Sequence, residues 1–164
     1  MYHLIMKLLV FSDSHKNVER MEFAVRKENP DAIIHLGDNI ADAIELQSKV
    51  PEAVIYMIAG NCDMTSTGKR ELLLSLENVN ILLTHGHQYS VKTGLSKLAL
   101  KAVDLSVNLV LYGHTHNAEV QTLHGVTLMN PGQLERNDSY SIASYGIVEI
   151  EDSKFNCEIV YFDF

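Results

Sequence analysis

The sequence predicts an α/β fold in which short buried strands alternate with amphipathic helices. Apolar runs of four or five residues recur along the chain, and each is followed at once by a polar or glycine-containing turn, which is typical of strands buried on both faces. The runs cover residues 8–11, 32–36, 54–58, 81–84 and 108–112. The chain has 164 residues, 46% of them hydrophobic, so we expect one ordinary core and a single domain over residues 1–164.

Three stretches between these runs place apolar residues on one helical face. The predicted faces comprise Val18, Met21, Ala24 and Val25; Ile40, Ala43 and Ile44; and Leu95, Leu98, Ala99 and Ala102. Asn17 is the predicted N-cap of the first helix, and Pro51 follows the end of the second. The alternation of strand and helix indicates βαβ units with right-handed crossovers and a largely parallel sheet.

Two regions depart from this alternation. Within residues 71–84, two apolar runs flank Glu77-Asn78, which predicts a hairpin. From about Glu119 the helical period disappears, and strand-like runs at 119–123, 126–129, 146–149 and 157–161 predict an antiparallel sheet in the carboxyl-terminal third. Two sheets with flanking helices predict a layered α/β sandwich.

Charge and cysteine content narrow the possible functions. The formal net charge of −8 repels phosphate backbones and anionic membranes, so neither a nucleic acid nor a membrane is expected as partner. Two cysteines are too few for a disulfide scaffold, which favours a reducing, cytoplasmic compartment. Lys7 interrupts the first apolar run, which predicts a strand there rather than a targeting segment. The sequence leaves open whether the chain forms a homo-oligomer.

Each of the five runs ends beside residues that can bind a metal ion. They are Asp13 and His15, then Gly37-Asp38, then Gly60-Asn61-Cys62-Asp63, then His85-Gly86-His87, and finally Gly113-His114-Thr115-His116. Successive blocks lie 23 to 29 residues apart, about one βαβ unit each time. The carboxyl ends of parallel strands share one edge of a sheet, so these side chains are expected to converge there. Carboxylate, imidazole and amide ligands suit Mn, Fe, Co or Zn.

In this order the five blocks resemble the pattern of the calcineurin-like metallophosphoesterases: Asp-x-His, Gly-Asp, Gly-Asn-His-Asp/Glu, His, then Gly-His-x-His. Within that family the chain is similar to the small bacterial and archaeal phosphodiesterases related to the retromer subunit Vps29. The resemblance covers residues 6–164. It implies a four-layer αββα sandwich of two mixed β-sheets flanked by helices. It also implies a phosphodiesterase with two divalent metal ions, Mn first, with Ni, Fe, Co or Zn as alternatives.

Carried over position by position, the resemblance also implies a ligand set. Asp13, His15, Asp38 and His116 would hold one ion, and Asn61, His85 and His114 the other, with Asp38 bridging both. Two ions about 3.5–4 Å apart need a shared carboxylate and can hold a bridging hydroxide, which would attack phosphorus in line. The candidate catalytic residues are Asp38, Asn61 and His87.

One position departs from the family pattern. Cys62 stands where the wider family has a histidine that donates a proton or stabilises charge. A thiol is a weak donor, so we assign Cys62 no catalytic role and expect a small packing residue. Diesters and activated phenolic esters, whose leaving groups need less protonation, are therefore favoured as substrates over alkyl monoesters. His87 either supplies the proton instead or is a polar loop residue.

Four further features have predicted roles. The Asn-Pro-Gly tripeptide at residues 130–132 resembles a family turn near the site, and it either ends a strand or contacts phosphate. Arg136 is the candidate substrate clamp, with a solvated loop arginine as the alternative. Asp63 is expected to orient a neighbouring residue, and His35 to pack inside its strand.

Three functions fit these observations. The first is a phosphodiesterase acting on a small substrate, which the complete set of seven ligands favours. The second is a Vps29-like protein-interaction scaffold with vestigial catalysis. The third is a nuclease of the same fold, against which the sequence shows no basic stripe. No residues remain for a capping domain, so we expect an open site with loose specificity.

Overall fold

A computed structural model describes residues 4–64, 67–135 and 142–163. These residues form two mixed sheets of five strands each, flanked by three α-helices. The α/β class and the two-sheet sandwich predicted from the sequence are confirmed. Within the described ranges, no helix combines the length and the apolar character that crossing a lipid bilayer requires.

The first sheet combines a parallel half with an antiparallel half. Its strands are β1 (Met6–Phe11), β2 (Ala32–His35), β3 (Ile55–Met57), β9 (Ser144–Glu151) and β10 (Lys154–Tyr161). Their order across the sheet is β10-β9-β1-β2-β3. Strands β1, β2 and β3 run parallel, while β9 pairs antiparallel with both β1 and β10. Strand β3 is an edge strand, and its three residues are only partly buried, contrary to the prediction of burial on both faces.

The second sheet has a parallel centre and antiparallel edges. Its strands are β4 (Glu71–Leu76), β5 (Val79–Thr84), β6 (Leu109–Leu111), β7 (Glu119–Leu123) and β8 (Val126–Asn130). Their order is β4-β5-β6-β8-β7. Strands β5, β6 and β8 are parallel, and β4 and β7 close the two edges as hairpin partners. The β4–β5 hairpin predicted around Glu77-Asn78 is confirmed.

Three apolar clusters define four layers. Helices α1 (Val18–Glu28) and α2 (Ile40–Lys49) pack on the outer face of the first sheet. Helix α3 (Ser96–Asp104) packs on the outer face of the second sheet. A third cluster, with residues such as Val10, Leu83 and Met129, fills the space between the sheets. Each sheet is therefore covered on both faces, as parallel strands require.

The helical faces largely match the prediction, with two corrections. The buried residues of α1 are the predicted Val18, Met21, Ala24 and Val25. In α2, however, Ile44 is 59% exposed, and Asp42 and Leu46 are buried instead. Asp42 faces inward because it accepts hydrogen bonds from the loop after β1. Asn17 holds the N-cap position of α1, but its side chain donates to the carbonyl oxygens of Ser14 and His15 rather than capping the helix.

The predicted carboxyl-terminal antiparallel sheet is wrong. The last four strands form two hairpins that belong to different sheets, since β7 and β8 join the second sheet while β9 and β10 join the first. Apolar alternation identifies a strand but carries no information about its partner. The partner is set by packing between elements that are distant in sequence.

The loops after the parallel strands interlock at one edge of the sandwich. Backbone hydrogen bonds join Asp13 N–H to the carbonyl oxygen of Gly37, and Gly113 N–H to that of His85. The approach is so close that a Cβ on Gly113 would overlap the hydroxyl of Ser12. Loops from both sheets therefore meet where the sequence predicts the site.

The turn between β4 and β5 offers a test of this description. Glu77 and Asn78 both have positive φ, 48° and 64°, as a two-residue hairpin turn of the primed type requires. Glutamate is strained there, whereas Asn-Gly adopts this turn readily. We expect the double substitution Glu77→Asn, Asn78→Gly to raise the free energy of unfolding by about 1 kcal/mol, measured by urea denaturation. An unchanged or lower value would contradict the assigned turn.

Candidate metal centre

The first group of potential ligands comes from the loops after β1 and β6. One ligand atom each from Asp13, His15 and His116 lie within 4.8 Å of one another. Oδ1 of Asp13 is 3.2 Å from Nε2 of His116. The rings of His15 and His116 meet edge to face with their centroids 5.5 Å apart. Asp13 is fully buried and His116 is partly exposed, so the group opens to solvent on the histidine side.

The second group comes from the loops after β2, β5 and β6. Ligand atoms of Asp38, His85 and His114 are equally close together. Nε2 of His85 lies 3.3 Å from Oδ2 of Asp38 and 3.9 Å from Oδ1 of Asp13, so His85 stands between the two groups. Its Nδ1–H donates to the carbonyl oxygen of Leu36 at 2.9 Å. This bond fixes the tautomer and leaves a lone pair on Nε2 of the neutral ring.

Several buried ligand atoms have no hydrogen-bond partner in the described part of the chain. They are Oδ1 of Asp13, Nε2 of His15, Oδ1 of Asn61 and Nε2 of His85. Each unpaired buried acceptor costs about 1–3 kcal/mol, so several in one small region are unfavourable unless they share a cation. Carboxylate, imidazole and amide donors together match Mn, Fe, Co or Zn. The residues present therefore fit divalent metal ions.

The pKa shifts of these ligands also indicate that a positive charge would be stabilised between them. Burial would raise the pKa of Asp13 and of Asp38, but the neighbouring His116 and His85 imidazoles hold both pKa values below their ordinary range. Burial would lower the pKa of His85, yet the two carboxylates raise it. Both carboxylates are therefore ionised at neutral pH.

Left-handed backbone occurs at several of these positions. Asp13, His15, Asp38, His114 and His116 all have φ between 45° and 72°. Such a conformation costs a non-glycine residue roughly 1–3 kcal/mol and persists only where the surroundings enforce it. Its concentration in the ligand loops shows that the fold gives up stability to aim these side chains at one another.

Asp63 holds the loop that carries Asp38. Its two carboxylate oxygens accept hydrogen bonds from the backbone N–H groups of Asp38, Asn39, Ile40 and Gly60, at 2.9–3.0 Å. The carboxylate also lies at the amino terminus of α2, where negative charge is favourable. The orienting role predicted for Asp63 agrees with these contacts.

A buried relay that sequence reasoning missed joins the Asp13 and Asp38 loops. The N–H of Gly37 donates to Nδ1 of His35 at 3.2 Å, which leaves the proton of the neutral ring on Nε2. Nε2–H then donates to Oγ of Ser14 at 2.9 Å, and the Ser14 hydroxyl donates to Asp42 at 2.6 Å. His35 is therefore more than the packed residue predicted from its place in a strand. The apolar neighbours of His35 and the helical position of Asp42 gave no signal of this contact.

The Asn-Pro-Gly turn is used for structure. Nδ2 of Asn130 donates to the carbonyl oxygen of Gly113 and to the hydroxyl oxygen of Thr115, while its Oδ1 accepts from the N–H of Gly132. Asn130 is fully buried. Of the two predicted roles, the contacts favour the turn, which fixes the loop between His114 and His116.

Asn61, Cys62 and His87 border the second group. The backbone N–H of Cys62 donates to Oδ1 of Asp38 at 2.9 Å, and this places the Asn61 loop against that carboxylate. Cys62 is exposed, which corrects the expected packing role, and partial desolvation together with the nearby Asp38 raises the pKa of its thiol. The ring of His87 lies 5.7 Å from that of His85 and 6.1 Å from that of His114. Burial and the charges of His85 and Arg70 lower the pKa of His87.

Arg136, the predicted substrate clamp, lies outside the described residues. Two other cations flank the site instead, and sequence reasoning missed both. Arg70 donates to the carbonyl oxygen of Gly60 at 2.9 Å. Burial and the charge of His85 lower the pKa of His114 most, and the positive charge of Lys92 lowers it further. Neither cation stands in a motif, so only the folded chain reveals that they are near.

A cavity of about 350 Å³ lies at the end of β1 opposite to the metal-ligand loops, lined by residues such as Ile5, Glu151 and Phe155. It contains none of the predicted ligands. The chemistry of this protein is therefore expected at the edge where Asp13 and Asp38 meet.

Fold and site together define a metal-binding α/β sandwich protein, in which two carboxylates and one histidine from the first sheet face three histidines from the second. Comparison with known families agrees with this class. The calcineurin-like phosphoesterase superfamily domain matches residues 6–153, and the chain belongs to that superfamily.

Two relatives show the extent of the similarity. The chain is 32% identical over 150 residues to the probable metallophosphoesterase YsnB of Bacillus subtilis, an alignment that covers 90% of this chain and 86% of the relative. It is 27% identical over 172 residues to phosphodiesterase MJ0936 of Methanocaldococcus jannaschii, covering 94% and 99%.

Solved structures show the same fold. A predicted phosphoesterase from Streptococcus pneumoniae superposes with a TM-score of 0.79 at 26% identity, covering 96% of this chain and 90% of that one. Zinc-complexed Vps29 from Entamoeba histolytica superposes with a TM-score of 0.67 at 22% identity, covering 96% and 100%. At that identity the likeness to Vps29 shows the fold alone.

The relay through His35 predicts a pH dependence of stability. Burial lowers the pKa of His35 from 6.5 to about 4. Between these values the unfolded chain binds more protons than the folded one, so the free energy of unfolding falls as the pH drops from about 6.5 to about 4. His35 alone contributes roughly 3 kcal/mol to this loss. Urea denaturation at a series of pH values, with chelator present, measures it.

The matched variant is His35→Gln, which keeps an amide donor but does not titrate. We expect a smaller change in the free energy of unfolding across this pH window for the variant than for the parent chain. Equal changes in the two proteins would show that His35 does not resist protonation in the folded state.

Proposed function

We propose that this chain is a dinuclear metal-dependent phosphodiesterase in which Asp38 would be a ligand of both divalent cations. The observation that carries the proposal is the convergence of buried, unpartnered ligand atoms with two ionised carboxylates at one edge of the sandwich. Membership of a phosphoesterase superfamily supports the reaction class. The similar MJ0936 protein, named a phosphodiesterase, supports the choice of a diester.

The proposed ligands extend the two observed groups, with Asp38 added to the first and Asn61 to the second as the family resemblance implies. Asp13, His15, Asp38 and His116 would hold one cation, and Asp38, Asn61, His85 and His114 would hold the other. Mn²⁺ is the first candidate, with Ni, Fe, Co or Zn as alternatives, because the donor set mixes carboxylate, imidazole and amide. When bound, such cations polarise phosphoryl oxygens and lower the pKa of a coordinated water.

The chain itself keeps the site ready for substrate. The Leu36 carbonyl oxygen orients His85, and the Cys62 N–H holds one oxygen of Asp38. Asp63 fixes the backbone on both sides of that contact, at Asp38 and Gly60. Groups held in place before substrate arrives need no rearrangement during the reaction, which is how such sites stabilise developing charge.

The leaving group has two neighbours that could donate a proton. Nδ1 of His87 is buried and makes no hydrogen bond within the described ranges, so we assign His87 to the leaving oxygen, although its lowered pKa leaves only a small fraction of the ring protonated at neutral pH. The Cys62 thiol is a weak donor. Substrates whose leaving groups depart with little protonation, such as aryl or activated diesters, are favoured.

A protein-interaction scaffold is the second candidate. It is retained because the chain shares the fold of the Vps29 structures over nearly its whole length. Buried ligand atoms without partners argue against it, because unpaired buried polar atoms would destabilise a scaffold that binds no cations.

Metal binding gives the first test. We expect two Mn²⁺ per chain by calorimetric titration, and a rise in the free energy of unfolding of about 2.7 kcal/mol for each site at a concentration 100 times its Kd. His116→Asn suits the left-handed backbone but shortens the side chain, so the stoichiometry should fall to one.

The control for metal binding is His124→Asn, at an exposed turn position that also has positive φ. It should bind two ions like the parent chain. One ion in the parent, or two in the His116 variant, would contradict the proposed division of ligands.

Catalysis gives the second test. With Mn²⁺ present we expect turnover of bis-p-nitrophenyl phosphate, and a loss in kcat/KM of at least about 100-fold for Asp38→Asn. The asparagine keeps an oxygen for the Cys62 N–H and removes only the charge. Asp104→Asn, at the exposed end of α3, is the matched control and should leave kcat/KM unchanged. No turnover with any of the five metals, or an unimpaired Asp38 variant, would favour the scaffold.

A further inference from the structure

A polar groove of about 550 Å³ lies beside the metal centre. One wall is formed by residues 91–95, between the His87–Tyr89 turn and α3. The other is formed by Thr115, Asn117, Glu119 and Gln121, which recede from the histidine loop along β7. Hydroxyl, amide, ammonium and carboxylate groups dominate the lining.

The groove is continuous with the proposed active site. Thr115 lines it and sits between His114 and His116 in the chain. Lys92 lines the opposite wall. A phosphate held at the cations would therefore have one of its two ester arms at the mouth of this groove.

The end of the groove nearest the histidines offers donors. Lys92 is exposed and forms no salt bridge with any residue that the structure describes. The hydroxyl oxygen of Thr115 already accepts from Asn130 Nδ2 at 2.9 Å and from the N–H of Asn117 at 3.2 Å, so its own proton is left to donate. Both groups suit the oxygens of a phosphodiester.

The far end offers an acceptor. One oxygen of the Glu119 carboxylate accepts from the buried Tyr112 hydroxyl, and the other accepts from Nε2 of Gln121 at 2.9 Å. These bonds fix the carboxylate, and each oxygen keeps a further lone pair for a ligand. A fixed carboxylate recognises hydroxyl donors, as acidic residues recognise ribose hydroxyls in nucleotide sites. It repels a second anionic group.

We propose that this groove binds the second ester arm of the substrate, and that this arm is an uncharged polyhydroxyl group of the glycerol or ribose kind. Glu119 accepts the hydroxyls of the arm, and Thr115 and Lys92 contact the phosphodiester oxygens. This inference rests on the proposed function and names its substrate class. An aryl or alkyl arm would leave the polar lining unpaired, so the groove selects against it.

The test compares two substrates that share one leaving group. Glyceryl p-nitrophenyl phosphate and propyl p-nitrophenyl phosphate differ only in two hydroxyls, so release of p-nitrophenolate reports the arm alone. For the Mn²⁺-loaded protein we expect kcat/KM to be about tenfold or more higher with the glyceryl arm, the size of a hydrogen bond to a charged group. Calorimetric Kd values for glyceryl phosphate and propyl phosphate should show the same ratio.

Variants separate the two ends of the groove. Glu119→Gln should bring the ratio of kcat/KM for the two substrates close to one. If loss of the Tyr112 contact prevents this variant from folding, Gln121→Ala takes its place and should lower the ratio. Lys92→Met should lower kcat/KM on both substrates by the same factor, about tenfold, and leave the ratio intact. Lys101→Met, on the exposed face of α3, is its control.

The outcomes distinguish this inference from the proposed function. Turnover of both substrates at equal kcat/KM, or a ratio unchanged in the Glu119 and Gln121 variants, overturns the groove assignment and leaves the phosphodiesterase standing. Absence of turnover on both substrates overturns the phosphodiesterase. In that case the ratio of the two Kd values still decides the groove, since equal Kd values reject it.

Discussion

The hydrogen bond from Nδ1–H of His85 to the carbonyl oxygen of Leu36 joins the two sheets at the edge where the site forms. The apolar cluster between the sheets fixes their separation, but apolar burial is non-directional and does not by itself aim a side chain. This polar bond does, because it presents Nε2 of His85 to the carboxylates of Asp13 and Asp38. The first sheet supplies both carboxylates and His15, and the second supplies His85, His114 and His116, so the site is complete only when the two sheets are docked.

Two kinds of buried polar group surround that bond, and their contrast separates support from function. His35, Ser14 and Asp42 are linked to one another and to backbone, so their burial is compensated. The ligand atoms of Asp13 and His85 lie a few ångströms away without such compensation. A fold that satisfies the polar groups behind the site has no physical obstacle to satisfying those within it. The unpaired atoms are therefore the ones that a bound cation would satisfy.

The sequence predicts much of this arrangement because a parallel strand delivers its following residues to a known edge. Asp13, Asp38 and His85 could be placed there from the apolar runs before them. The assignment of strands to sheets could not be predicted. Strand β9 pairs with β1 across more than a hundred residues, and the alternation of apolar and polar residues in β9 does not indicate which strand it pairs with. The inward turn of Asp42 is a similar case, because its partner Ser14 lies in another loop.

The features of the site that destabilise the fold are confined to one edge of the sandwich. Left-handed backbone at Asp13, Asp38 and His114, and two neighbouring ionised carboxylates, all oppose folding of this edge. The three apolar clusters are nevertheless filled by residues of the strands and helices, and none of the proposed ligands belongs to them. Cations would therefore stabilise the edge far more than the layers behind it. Apolar packing holds the layers behind the site, and binding energy from cations would offset the strain and the paired negative charges at the edge where the ligands meet.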